Sequence, residues 1–185
     1  MKQKESLVMY VLRLAGTLLL ICAVTAGLLA GVNAVTEPII EELNAKATQE
    51  AIMAVLPGGF DTEINDFADE SGIVSKVYKG ENGYAVEVGP TGFNNTITMV
   101  VGIDNEGKVM GISVVSHTET KNLGEVAAAG TPKGAAFREQ FVGIGESVSV
   151  TKDGGTIDAI TGATITSRAI CVGVNAALDC VAGLG

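Results

Sequence analysis

From Leu14 to Thr36 the chain carries no charged side chain, and this stretch limits what the polypeptide can become more than any other feature. A run of about 23 residues, rising 1.5 Å each, is long enough to cross a hydrocarbon core as a helix. It reads as one membrane span. Lys2, Lys4 and Arg13 precede it, whereas Glu37, Glu41 and Glu42 follow it. Basic residues favour the cytoplasmic side, so the N-terminus is expected in the cytoplasm and the bulk of the chain outside, across a bacterial cell membrane. A cleaved signal peptide competes, because Val32-Asn33-Ala34 suits a small-residue cleavage site. Apolar regions of signal peptides, however, run only about 7–15 residues, and this one is longer. A lipoprotein reading fails because Ile21, not a small residue, precedes Cys22. The small residues Gly16, Ala23, Gly27, Ala30 and Gly31 suit a span that packs against other membrane helices.

The remainder has a different character. The span and its N-terminal flank carry a net +2 up to Val35; taken from the overall −9, this leaves −11 for the rest of the 185 residues. A chain this acidic, with no Trp and no basic cluster, argues against nucleic acid as a partner. Cys171 and Cys180 fall nine positions apart on a helical pattern, on opposite faces and roughly 13 Å apart, beyond disulfide reach. One histidine, His117, with no Cys or carboxylate cluster at ligand spacing, argues against a zinc or iron site.

After the span, Thr36-Glu37-Pro38 carries the signals of a helix start, with Thr36 as cap and Pro38 in the first turn. Ile39, Ile40, Leu43, Ala47, Ala51, Ile52, Val55 and Leu56 form an apolar stripe up to Pro57-Gly58-Gly59. The acidic segment 60–71 reads as a surface excursion whose spacing fits no known calcium loop. Strands are expected over 73–78, 84–88, 96–103 and 109–115, with hairpin turns at Gly80-Glu81-Asn82-Gly83 and Asp104-Asn105-Glu106-Gly107. A short helix is expected over 132–141, a further strand over 147–150, and a final helix from the recurrence of Ile170, Val174, Ala177, Leu178 and Val181. These elements predict an α+β chain: one transmembrane helix within 1–36, then an extracytoplasmic domain over 37–185 with an antiparallel sheet flanked by helices.

Immediately before that last helix lies DAITGATITS, residues 158–167, which crowds Thr161, Thr164, Thr166 and Ser167 around Gly162 and Ala163. A helix N-terminus presents unpaired N–H groups and a positive dipole end, so a phosphate is its natural ligand. Simple N-capping is the competing reading, although capping uses only one or two hydroxyls.

Asp158, Thr161, Gly162, Ala163 and Thr164 resemble the flavinylation signature of extracytoplasmic FMN-binding domains. That family includes the G subunit of the Rnf complex and the C subunit of the sodium-pumping quinone reductase. A second match strengthens the resemblance. After the fourth expected strand, Glu119, Thr120, Leu123 and Gly124 follow the family's Glu-Thr-Pro-Gly-Leu-Gly loop, with Lys121 and Asn122 in place of Pro-Gly. The compact length is closer to the Rnf G subunit.

The resemblance implies FMN carried covalently by a phosphoester on Thr164. It implies a flavin site bordered by Glu119, Thr120, Leu123, Gly124, Thr161, Gly162, Ala163 and Ser167. It also implies that a separate flavin transferase, using FAD, recognises Asp158, Thr161, Gly162, Ala163 and Thr164. No side chain is expected to act as an acid–base catalyst, because the redox chemistry is the flavin's. A carboxylate beside the ring, with Glu119 the candidate, is expected to disfavour anionic reduced flavin and lower its potential. The function implied is electron transfer within a membrane-bound, ion-translocating ferredoxin:NAD oxidoreductase, alongside the other membrane subunits of that complex. Two other readings are a covalent-FMN carrier of another respiratory or extracellular electron-transfer chain, and a cofactor-free, membrane-tethered assembly domain.

Overall fold

The structure is a computed structural model that describes residues 2–184, those before Leu7 by backbone alone. The side chains of Lys2, Lys4 and Glu5, which enter the orientation reading, lie outside the described residues. The chain divides into two compact units at Leu43/Asn44.

Helix α1 runs without interruption over Lys2–Val55, with Pro38 inside it. The expected start at Thr36 is therefore not a start. Thr36 does not cap anything; its hydroxyl turns back and donates to the Val32 carbonyl at 3.0 Å. Thr17 and Thr25 do the same, donating to Leu14 at 2.8 Å and to Ile21 at 3.0 Å. Hydroxyls closed onto their own helix are what a hydrocarbon environment demands, since no water is there to receive them. The large side chains of this segment are bare, Leu19 and Leu29 each at 71% exposure, as befits a helix long and apolar enough to cross a membrane.

The stripe predicted beyond the span packs only at its far end. Ile39, Ile40 and Leu43 are exposed, while Ala51, Ile52, Val55 and Leu56 are buried. These four residues cover one face of a sheet, against Tyr78, Ala85 and Val100.

That sheet has five strands in the order β1-β2-β3-β4-β5, each antiparallel to the next: β1 Thr62–Ile64, β2 Val74–Gly80, β3 Gly83–Val88, β4 Thr98–Asp104 and β5 Val109–Ser116. The expected strands and hairpins correspond to β2 through β5. The acidic excursion is not wholly irregular: β1 is a short edge strand within it, pairing Glu63 with Tyr78. Val77, Val86, Val88, Met99, Val101 and Ile103 point to the opposite face. There they meet Ile170, Val174, Ala177 and Val181 of α3, Thr164–Ala182. This last helix is also apolar enough to span a bilayer, but most of it is buried within the protein, which makes it a core helix. Burial pushes the Cys171 thiol up to about 11, so it packs as a small protonated hydrophobe.

Helix α2 covers Pro132–Glu139, with Thr131 capping it through a bond from the Gly134 N–H at 3.3 Å. The strand expected over 147–150 joins no sheet; only Val150 pairs, in an isolated parallel bridge with Ile157. The reason is Asn175 of α3, whose side-chain amide accepts from the Val148 N–H at 2.8 Å and donates to its carbonyl at 2.9 Å. One side chain thus replaces the neighbouring strand.

Gly102 shows how closely the layers approach. A Cβ there would lie 2.3 Å from the Val55 carbonyl oxygen, a backbone atom that cannot swing aside. Gly102→Ala is expected to lower stability by about 1–3 kcal/mol, read as a fall in the thermal unfolding midpoint of the full chain in detergent.

Candidate functional site

The four hydroxyls at the start of α3 divide into separate tasks. Ser167 is fully buried; its hydroxyl accepts from the Ile160 N–H at 3.0 Å and donates to the Ala163 carbonyl at 3.0 Å, closing the 160–163 loop onto the first turn. Thr166, 2% exposed, donates to Oε2 of Glu119. Thr161 is exposed. None of these caps the helix: the cap position is Ala163, which offers no side-chain bond. The capping reading therefore fails. Gly162, with φ of +81°, supplies the turn that sets Ala163 and Thr164 at the helix start. Thr164 is half-buried, and the Lys152 ammonium donates to its hydroxyl at 3.2 Å.

Thr164 opens into a cavity of about 300 Å³, the small end of the range for ligand pockets. Glu119, Thr120, Leu123 and Gly124 line it, as do Gly162, Ala163 and Thr166. The 119–124 loop and the start of α3 thus converge on one cavity, whose lining does not include Ser167. Asp158 and Thr161 do not join them. They line a neighbouring cavity of about 480 Å³ under α2. Asp158 is held there by its backbone: its N–H donates to Gln140 Oε1 at 2.7 Å, and Gln140 Nε2 donates to its carbonyl at 3.2 Å.

The loop after β5 is shaped by two residues. Asn122 stands where the family's pattern has glycine and adopts φ of 61°, a left-handed conformation that Asn tolerates better than most residues. Asn122 thus makes a left-handed turn here without glycine. A side chain at Gly124 would displace the Glu119–Thr166 pair, since a Cβ would lie 2.4 Å from Glu119 Oε2 and 2.6 Å from Thr166 Oγ1.

Glu119 is 8% exposed and its carboxylate is fully engaged. Oε1 accepts from the N–H groups of Phe93 at 2.8 Å and Asn94 at 3.1 Å, and Oε2 accepts from Thr166. It joins the 92–94 loop, the 117–124 loop and α3. Phe93, held by this bond, stands 62% exposed on the cavity wall.

Sequence reasoning passed over Phe93 and Lys152. An aromatic side chain set among Gly92, Asn94 and Asn95 was the available signal for the first. Nothing local distinguishes Lys152, which sits in the 3-10 turn Thr151–Asp153. Beside it, Arg168 donates to both oxygens of Asp153, at 2.6 and 2.7 Å. That bond, with the attraction of Arg168 and Lys152, holds the Asp153 carboxyl below its ordinary value.

Comparison with known proteins finds family matches over two stretches of the chain. Residues 92–179 match the FMN-binding domain family, and residues 3–55 match the RnfG N-terminal region. The chain is 34% identical over 176 residues to the G subunit of the ion-translocating oxidoreductase complex of Methanosarcina acetivorans, covering 89% of this chain and 91% of that protein. It is 35% identical over 193 residues to the G subunit of the Na(+)-translocating ferredoxin:NAD(+) oxidoreductase complex of Acetobacterium woodii, covering 91% and 90%. With the corresponding G subunit of Pseudomonas aeruginosa the identity is 31% over 185 residues, covering 90% and 86%. The chain belongs to the family of G subunits of ion-translocating oxidoreductase complexes.

The residues present fit FMN. A hydroxyl, an ammonium and an uncapped helix start with no acidic residue in its first turn suit a phosphoryl group. Leu123 and Phe93 beside them offer apolar surface to a ring system.

Proposed function

We propose that this chain is the electron-transferring G subunit of an Rnf-type complex, membrane-anchored through α1, and that it carries FMN as a phosphoester on Thr164. The observation that carries the reading is the division of labour at α3: Thr166 and Ser167 are spent on the fold, while Thr164 faces the cavity at the first helical position. The charge asymmetry about the span supports an N-terminus in the cytoplasm and a flavin domain on the other side.

Bound FMN supplies reversible one- and two-electron transfer, and a phosphoester at the far end of the ribityl chain leaves its ring unaltered. The rest is the protein's work. Thr164 tethers, which matters outside a membrane, where a dissociated flavin would be lost by dilution. The 119–124 loop and the 92–94 loop, joined by Glu119, form the wall that faces the tether. In loading by a flavin transferase, the Thr164 oxygen forms a bond to the FMN phosphorus of FAD as the pyrophosphate bond breaks. AMP departs with the bridging oxygen, and the hydroxyl proton passes to solvent. Asp158, Thr161 and Gly162 are exposed and so open to recognition by such an enzyme.

Coexpression with a flavin transferase should add the mass of one FMN to the intact chain and leave it fluorescent on a denaturing gel. A chain that releases all its flavin on denaturation contradicts the covalent assignment.

A further inference from the structure

We propose that Lys152 holds the phosphodiester on Thr164, so that the attachment point is an anion site built from one ammonium and one helix N-terminus. The inference rests on the Thr164 reading and concerns what that residue's surroundings do.

A surface lysine beside a threonine is ordinarily a loose, solvated contact, because its long side chain has many rotamers to lose. Lys152 differs in how its backbone is held. The turn that carries it is tied to α3 by the bidentate Asp153–Arg168 pair, and Arg168 lies one helical turn beyond Thr164. The turn is also closed on itself: the Thr151 N–H donates to the Ile157 carbonyl at 2.8 Å, and that of Gly155 to the Val150 carbonyl at 3.1 Å. Gly155 is required there, since a Cβ would lie 2.0 Å from the Ser149 carbonyl oxygen. The clamp therefore fixes the backbone from which Lys152 reaches the first residue of the helix.

Charge points the same way. Both carboxylate oxygens of Asp153 are taken by Arg168. The first turn of α3 has no acidic residue. An ammonium is thus presented to the Thr164 hydroxyl on a domain whose overall charge is −11 beyond Val35. A phosphodiester formed on that oxygen carries one negative charge. It would otherwise be repelled by the acidic surface, and a charge-assisted bond to Lys152 together with the helix dipole offsets that. The same contact favours the bond-forming step, in which the FAD pyrophosphate is brought to the hydroxyl and AMP is released.

The test uses the full chain in detergent with purified flavin transferase and FAD, comparing wild type, Lys152→Gln and Lys152→Arg. Mass gain is followed in time, and flavin fluorescence anisotropy is measured once loading is complete. Lys152→Gln is expected to load roughly tenfold more slowly, equivalent to about 1.4 kcal/mol, and its loaded flavin is expected to lose anisotropy as the phosphate end swings free. Lys152→Arg should retain both properties, because the positive charge remains. A Lys152→Gln chain that loads at the wild-type rate, or that loads slowly and then holds its flavin with wild-type anisotropy, overturns the proposal. If the wild type itself gains no mass, the Thr164 reading falls and this inference falls with it.

Discussion

Thr164→Ala is expected to fold as the wild type does and to carry no covalent flavin, going from one FMN per chain to none. The fold has little to lose at this position. Thr164 is half-buried and its hydroxyl takes part in a single hydrogen bond, from the Lys152 ammonium. Alanine is also a better helix former than threonine, so stability should change by less than about 0.5 kcal/mol. Thr164→Ser keeps a hydroxyl at the same atom and should be loaded. The neighbouring hydroxyls provide the contrast. Thr166→Ala removes a donor to Glu119, and Ser167→Ala removes the two hydroxyl bonds that tie the 160–163 loop to the first turn. Those two variants should lose stability by about 1 kcal/mol or more each while still gaining the FMN mass. Intact-mass spectrometry and gel fluorescence read the attachment, and thermal unfolding reads the fold. A fluorescent Thr164→Ala chain on a denaturing gel would place the acceptor elsewhere.

The parts of this molecule written into local sequence were legible, and those set by distant partners were not. β2 through β5 follow from short apolar runs punctuated by Gly80 to Gly83 and Asp104 to Gly107, because turn and strand chemistry are local. β1 has three residues, two of them exposed, and so leaves no apolar pattern to detect. Thr36-Glu37-Pro38 carries every signal of a helix start, yet α1 passes through it, since proline only disfavours a helix interior and threonine can bond back to its own helix. Residues 147–150 have a strand's pattern, but the partner of Val148 is a side chain 27 positions away. In the site, the two motifs were visible as separate segments. What joins them was not: Glu119 reaches back 26 positions to Phe93 and forward 47 to Thr166. A sequence shows that hydroxyls cluster, and only the fold shows which are already occupied.

Glu119 carries the second large effect, and two substitutions separate its charge from its geometry. Glu119→Ala should destabilise the domain by roughly 3 kcal/mol, because the Phe93 and Asn94 N–H groups and the Thr166 hydroxyl all lose their acceptor in a buried setting. For a chain of this length that corresponds to a thermal midpoint lower by about 10 °C. Glu119→Gln should cost only about 1 kcal/mol. Its Oε1 can keep both backbone donors, while its amide nitrogen meets Thr166, whose hydroxyl can turn from donor to acceptor. The two loops and α3 then stay joined, and the flavin wall keeps its shape with one negative charge removed. A carboxylate close to the ring opposes the accumulation of negative charge on reduced flavin, so the loaded Glu119→Gln chain should show a higher midpoint potential than the wild type. The alanine variant cannot make this distinction, because the freed 92–94 loop changes solvation of the site as well as its charge. An unchanged potential in Glu119→Gln, with the midpoint of unfolding lowered as expected, would confine Glu119 to holding the three segments together and remove it from the electrostatics of electron transfer.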